Sequence, residues 1–304
     1  MLTKDKIIEI FCMADDFCKN FSQEIKKHQL RPKDGKKHRN RACEMSDSEI
    51  MTVLLLFHFG TFKNFKHYYL HYIGVHLKNE FPKQLSYNRF VAIEHRVFVP
   101  MIFFLNTVCF GKCTGITFID STKISVCHNK RIRRNKVFAG FAKTGKNTMG
   151  WFYGFKLHLL CNDKGELLSF CLTSGNVDDR DPKTLKILTQ KLFGKLFGDK
   201  GYISSSLFET LFNNGVHLVT GMRSNMKNRL MSLYDKIMLR KRSVIETIND
   251  ELKNICEVEH SRHRAVHNFV MNLISALAAY CFFDKKPAIR FDVKKQSGQI
   301  TLFE

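Results

Sequence analysis

"KLFGDKGY", residues 195 to 202, sets a single acid, Asp199, at the end of a short apolar run and beside Lys200 and Gly201. Acids are the minority charge in this chain: 49 Lys and Arg stand against 28 Asp and Glu, a formal net charge of +21 on 304 residues. A buried strand that stops at a carboxylate is a rigid platform for a ligand-holding group, and a glycine two residues on is the residue type that lets the chain turn sharply.

The flanks extend the pattern. Upstream, Asp181-Pro182 is a cap followed by proline at the first helical position, which predicts a helix to about Lys191. Downstream, "SLFETLFNNG" (206 to 215) reads as a helix opened by a capping box of Ser206 and Glu209 and closed near Gly215, and "VHLVTG" (216 to 221) as a strand. Earlier, "ITFID" (116 to 120), "WFYGFKLHLLC" (151 to 161) and "ELLSFCLTS" (166 to 174) are rich in β-formers, the last two joined by the turn "NDKG". The order β-β-β-α-β-α-β followed by helices describes an α/β chain, an α+β mixed sheet of five strands flanked by helices.

Residues 1 to 110 read as a separate helical region. "SDSE" (46 to 49) is a capping box before "IMTVLLLFHF", which Gly60 ends; "FKNFKHYYLHYI" (62 to 73) and "YNRFVAIEHRV" (87 to 97) follow as helices. Tyr87, Asn88 and Arg89 at the start of the last one fit either a helix presented to a DNA groove or an ordinary bundle. The division expected is 1–110 helical and DNA-end-binding, 111–290 catalytic, and 291–304 a tail.

The basic excess is uneven. Residues 31 to 41 ("RPKDGKKHRNR") hold six Lys or Arg against one Asp, and 123 to 146 hold eight against none. Each run alone reads equally as a solvated face; two in one chain of this charge point to a polyanion. Ten cysteines without a C-x-x-C pair read as reduced thiols rather than a disulfide or zinc framework. The apolar stretches 98–110 and 269–283 are short and interrupted by Asn, Ser or Pro, so they are expected to be core helices with no membrane role, and a cytoplasmic location is expected.

A third acid stands in "RKRSVIETINDELKN" (240 to 254), read as one helix. At about 100° per residue, Arg242, Glu246, Asn249 and Lys253 share one face, while Val244, Ile245, Ile248 and Leu252 supply the apolar side. A solvent-facing i,i+4 pair of Arg242 and Glu246 is the plainer account. If Asp120, Asp199 and Glu246 meet, two carboxylates about 4 Å apart repel by roughly 4 kcal/mol at an effective dielectric near 20, about three pKa units. Either one is protonated or a cation is bound, and with a substrate phosphate nearby one or two Mg²⁺ ions answer the charge best. The competing acids are Asp178, Asp179 and Asp181, the last read as a helix cap. His128, His158 and the "HSRHR" run (260 to 264) read as satisfied or DNA-facing rather than as ligands.

"FIDST", "GDKGY" and R-x-x-x-E-x-x-x-x-x-x-K in this order, with "CHNKRI" (127 to 132), "MGWFYGFKLHLLC" (149 to 161), "SGNVDDRDP" and "HSRHRAVHNFVMNLISALAAYCF", resemble the DDE transposases of bacterial insertion sequences, most closely the insertion-sequence nine-eighty-two group. The resemblance covers roughly 116 to 283. It implies a ribonuclease H-like core in which Asp120, Asp199 and Glu246 are the catalytic acids and hold two Mg²⁺ ions, Mn²⁺ being able to substitute. It carries the basic partners over to Arg242 and Lys253. Lys130, Arg131, Arg133, Arg134 and Lys200 are the further candidate DNA contacts. The implied activity is binding of inverted terminal repeats, strand cleavage and strand transfer, with double-stranded DNA as partner, a homodimer at synapsis, and no small-molecule cofactor. One departure stands out: neighbouring groups place a tyrosine three residues before the arginine, where this chain has Leu239, and Tyr234 is out of register. The rival readings are a ribonuclease H-like nuclease or resolvase that does not join strands, and a basic DNA-binding protein without catalysis.

Overall fold

The computed structural model describes residues 2–28, 43–60, 62–148, 150–224, 226, 230–259 and 263–289. The basic run 31–41, residues 260–262 of the histidine run and the tail 291–304 lie outside the described residues.

Helices come first in the chain. α1 (Lys4–His28) buries Ile7, Ile10 and Ala14 at helical spacing, and α2 (Asp47–Leu56) is opened by Ser46 and Glu49 in the reciprocal capping box that "SDSE" predicts. α3 (Phe65–His67) runs on into a π-helical stretch, Tyr68–His76. α4 (Tyr87–Ile93), capped by Ser86, and α5 (Phe98–Phe104) belong to one helical run, Tyr87–Cys109, of 23 residues, within which an 18-residue window reaches a mean hydropathy of 1.4. By length and composition that run could cross a membrane, so the apolar stretch 98–110 belongs to a longer helix than its own extent suggests. Met101, Phe104 and Leu105 are fully buried in the core these helices share.

The sheet follows: β1 (Ile116–Cys127), β2 (Lys143–Asn147), β3 (Gly150–Asn162), β4 (Leu167–Ser174), α6 (Pro182–Thr189), β5 (Gly194–Gly198), α7 (Ser205–Asn213) and β6 (Val216–Thr220). α8 (Leu233–Lys241), α9 (Ser243–Asn254) and α10 (Val266–Cys281) close the chain. β4, β3 and β1 form an antiparallel meander, and β5 and β6 add in parallel on the far side of β1. That arrangement is ribonuclease H-like. β2, paired to residues 150–154 of β3 ahead of the stretch that β4 covers, makes a sixth strand beside the five expected. Its sequence, "KTGKN", has no apolar alternation, and it is strand because β3 templates it.

Alternate residues of the strands feed two cores, as a period of two requires. Phe118, Leu159, Phe197 and Val219 join the large core with α9, α10 and the N-terminal helices. Ile119, Leu160, Leu196 and Leu218 join a second core with Leu185 and Leu188 of α6 and Leu207 and Leu211 of α7. α10 is buried from Leu273 to Tyr280, and its Tyr280 hydroxyl donates to the Gly165 carbonyl in the β3–β4 turn at 2.8 Å.

Two local readings change. α7 is capped by Ser204, whose hydroxyl accepts from the Leu207 amide, so Ser206 and Glu209 form no box; three serines in a row leave the cap position ambiguous by two. The segment 240–254 breaks at Arg242, which ends α8 and starts α9.

Gly154 of β3 lies so close to β1 that a Cβ there would press into the Ile124 carbonyl. Backbone cannot yield as a side chain can, so Gly154→Ala is expected to destabilise by about 3 kcal/mol or more, seen as a lowered thermal midpoint or loss of soluble protein.

Candidate active site

The register of the parallel pair places the two aspartates. β1 and β5 pair Thr117 with Leu196 and Phe118 with Phe197; carried two residues on, the same register sets Asp120 level with Asp199. Neighbouring strands are about 4.8 Å apart. Because Phe118 and Phe197 face the large core, residues two further along point to the same face, the one α9 covers. Asp199 begins a short 3₁₀ turn, Lys200–Tyr202, and its Oδ1 accepts from the Gly201 amide at 2.9 Å. Gly201 serves by close approach rather than by a left-handed backbone: a Cβ there would sit 2.9 Å from Asp199 Oδ1.

α9 supplies the opposite wall. Its apolar residues Val244, Ile245, Ile248 and Leu252 are buried, which fixes the polar arc against the end of the sheet. Arg242 donates to Asp120 Oδ1 at 3.2 Å and also to Glu246 Oε1, and Asn249 Nδ2 donates to Asp120 Oδ2 at 2.9 Å. Both oxygens of Asp120 are thus held by α9, and one guanidinium joins Asp120 to Glu246. Burial pushes the Asp120 carboxyl up to about 6; Arg242 opposes that shift, while the charges of Asp199 and Glu246 add to it.

The donor set suits a hard divalent cation. It consists of carboxylate oxygens whose mutual repulsion such an ion relieves, and Asn249 Oδ1 lies buried beside Asp120 without a hydrogen-bond partner. Among the described residues, no three acid, histidine or cysteine side chains are gathered closely enough to enclose an ion; the Arg242 guanidinium lies between Asp120 and Glu246 and neutralises both.

The other predicted residues sort by position. Lys130, Arg131, Arg133 and Arg134 are all exposed on the 3₁₀ turn Asn129–Arg134, with Ile132 turned inward. That turn is tied to the β2–β3 hairpin by Asn129 Nδ2 donating to the Trp151 carbonyl at 2.8 Å. Trp151 is 63% exposed, with Lys146 Nζ 5.6 Å from its ring centre. Lys200 is exposed beside Asp199. Lys253 is half-buried, its ammonium disfavoured by burial and supported by Glu259 at 3.8 Å. Leu239 packs against the large core, and Tyr234 lies under Lys195, 5.3 Å from its Nζ.

The competing groups are accounted for. Asp181 caps α6 through Thr184, Asp178 pairs with Arg180 at 2.9 Å, and Asp179 accepts from Ser121 at 2.9 Å and Lys156 at 3.1 Å. His158 is buried against Thr173 at 2.9 Å, burial holding its pKa down at about 4, and His128 accepts from the Lys130 amide. Glu259, which also accepts from the Ser125 amide at 3.1 Å, was not picked out by the sequence; no pattern links an acid beyond α9 to the C-terminal end of β1.

A protein-family model described as "Transposase DDE domain" matches residues 110–266. No curated protein matches the chain. Among solved structures, the piggyBac transposase synaptic complex with hairpin DNA aligns at 11% identity over 92% of this chain and 72% of that one, with a TM-score of 0.44. The Mos1 strand transfer complex aligns at 10% identity over 82% and 88%, with a TM-score of 0.21. The family match spans more than half of the chain and contains β1, β5 and α9 with Asp120, Asp199 and Glu246. The chain therefore belongs to the DDE transposase-domain family and is a DDE-type polynucleotidyl transferase acting on DNA.

Proposed function

We propose that the protein is the transposase of a bacterial insertion sequence of the nine-eighty-two group, binding the inverted terminal repeats of its element, cleaving strands at their ends and transferring them to target DNA. The observation that carries this is the pairing of β1 with β5, whose register carried two residues on sets Asp120 level with Asp199, together with Arg242 and Asn249 fixing Asp120 and Arg242 reaching Glu246. Residues 1–110 bind the ends and 111–290 carry the chemistry, in the cytoplasm at the nucleoid.

Asp120, Asp199 and Glu246 would hold two Mg²⁺ ions, or Mn²⁺ in their place. Bound there, such ions supply a lowered pKa for the attacking hydroxyl or water and neutralise charge on the leaving oxygen. The protein's own part is positional. Asp120 is held in one rotamer by two donors from α9, so the carboxylate does not reorganise as charge develops. Lys130, Arg131, Arg133, Arg134 and Lys200 are exposed cations suited to DNA phosphates. No side-chain nucleophile is required. Arg242 and Lys253 complete the basic lining, and two chains act together, one for each end.

Duplex oligonucleotides carrying the element's end, incubated with protein, Mg²⁺ and a supercoiled target, are expected to yield nicked ends and covalently joined donor–target products. Nicking without joined product would instead favour a ribonuclease H-like nuclease. Binding that ignores Mg²⁺, with no cleavage, would overturn the reading in favour of a DNA-binding protein. Replacing Arg131, Arg133 and Arg134 by Gln is expected to weaken end binding and flatten its salt dependence by about 2 to 3 in log–log slope, measured by fluorescence anisotropy between low and moderate salt.

A further inference from the structure

A cleft of about 840 Å³ opens between α2, the segment 63–66, α4 and α10, well inside the size range of pockets for small ligands. Its lining unites two motifs that the catalytic site leaves unused, the Tyr87-Asn88 start of α4 and the end of the histidine run. Three features of that lining are chemically distinct. Phe57, Phe65 and Tyr87 provide aromatic surface, with Phe57 and Phe65 edge to face at 5.1 Å. Lys63, Lys66 and Arg264 are exposed at the edge, and Lys66 Nζ lies 5.8 Å from the Tyr87 ring centre. Glu94 and Ser275 line the interior and are 6% and 0% exposed.

Three of the side chains that line it, Glu94, Asn268 and Ser275, carry oxygens without partners. Among the described residues, the Glu94 carboxylate makes no hydrogen bond or ion pair, and burial alone raises it to about 7. Ser275 Oγ and Asn268 Oδ1 are buried with no hydrogen-bond partner. His58 adds an acceptor. Its Nδ1 donates to the Cys256 carbonyl at 2.7 Å, and burial keeps the ring neutral, so Nε2 carries a lone pair. Buried polar groups are ordinarily satisfied, and a carboxylate left facing an aromatic-walled space asks for donors from whatever enters it.

We propose that this cleft binds one nucleotide, its base against the aromatic walls with a donor-bearing edge on Glu94, and its phosphate on Lys63, Lys66 and Arg264. Guanine fits best: its N1–H and N2–H₂ donors are adjacent and match the two carboxylate oxygens. Thymine presents a single N–H between two carbonyls, which Glu94 repels. A bare metal ion has no use for the aromatic walls and is repelled by the cationic edge. A paired base cannot serve, because its edge is already engaged, so the occupant is a free nucleotide or an unpaired residue of DNA. The second source rests on the transposase reading; the recognition chemistry does not.

Titration calorimetry with dGMP, dTMP and guanosine, and anisotropy with labelled duplexes ending in an unpaired dG or dT, test this. dGMP is expected to bind at least about tenfold more tightly than dTMP, the discrimination a bidentate base contact gives, and Glu94→Gln to abolish that preference. The same preference for unpaired dG on the duplex identifies DNA as the source; its restriction to dGMP identifies a free nucleotide. Lys63→Ala with Lys66→Ala, both at exposed positions, is expected to weaken dGMP but not guanosine, and this pair serves if Glu94→Gln does not fold. Equal binding of dGMP and dTMP, or a guanine preference that survives in folded Glu94→Gln, overturns the proposal. Asp120→Asn separates the two readings: it removes strand cleavage and leaves dGMP binding intact, whereas a failed cleft leaves cleavage intact in the wild type.

Discussion

Asp120→Asn is expected to yield a folded protein that still binds end DNA and does not cut it. Strand cleavage is expected to fall by at least about 10² to 10³-fold, the range for removing one group that stabilises transition-state charge, because a neutral amide is a poor ligand for a hard cation. Stability moves little, and the reason lies in the same side chain. The carboxyl is largely buried and its pKa lifted to about 6, so its ionised form is a strained feature of the native state near neutral pH. Asparagine removes that strain and can still accept from Arg242. Thermal melts in metal-free buffer at pH 7.5 are therefore expected to match or exceed wild type, while denaturing gels of end-labelled duplex show no nick. Near-wild-type cleavage by the variant would remove Asp120 from the site. A large drop in the melting midpoint would make it a structural residue instead.

The fold was legible wherever apolar runs had a strand's length and turn residues at their ends. "ITFID" and "KLFGD" read as strands that stop at acids, and the parallel pairing of β1 with β5 turns that likeness into one shared level. "KTGKN" was illegible because its strand character comes from pairing with β3 rather than from its own residues. The same limit applies at α7, where three consecutive serines offer three caps and tertiary packing selects Ser204.

In the site, the arc of Arg242, Glu246, Asn249 and Lys253 follows from helical periodicity. What the arc touches does not. Arg242 and Asn249 reach Asp120 across 122 and 129 residues of chain, and nothing local to either segment encodes the meeting. An i,i+4 reading of Arg242 and Glu246 is correct as far as it goes, but it misses that the same guanidinium also neutralises an acid on β1. Glu94 shows the limit from the other side. In sequence it is one acid in a helical stretch with His95 and Arg96, and only the packing of the 3₁₀ turn Glu94–Val97 against α2 and α10 leaves it buried without a partner.

Arg242→Ala is expected to reveal how that guanidinium and a divalent ion exclude each other. Arg242 and Asp120 side chains are 17% and 21% exposed. Removing one partner of a fully buried pair costs about 3 to 5 kcal/mol, and partial solvation with Asn249 still bound brings the expected loss to roughly 2 to 3 kcal/mol. That is a fall of about 5 to 10 °C in the midpoint. The pH dependence has a definite sign. Arg242 draws the Asp120 pKa down against burial, so without it the folded-state pKa rises further above 6, while the unfolded value stays near 3.9. The penalty is absent below about pH 4, where the carboxyl is protonated in both states. It grows as pH rises and is complete above the folded-state pKa. The gap between wild-type and variant midpoints should accordingly be largest at pH 8 and narrow toward pH 5. Mg²⁺ held by the folded carboxylates and not by the unfolded chain would raise the midpoint by mass action. It should do so more for Arg242→Ala, in which no guanidinium competes, than for wild type. A midpoint deficit of equal size at every pH would show that Asp120 is not the group left uncompensated. A Mg²⁺ shift no larger in the variant than in wild type would show that ions do not enter between Asp120 and Glu246.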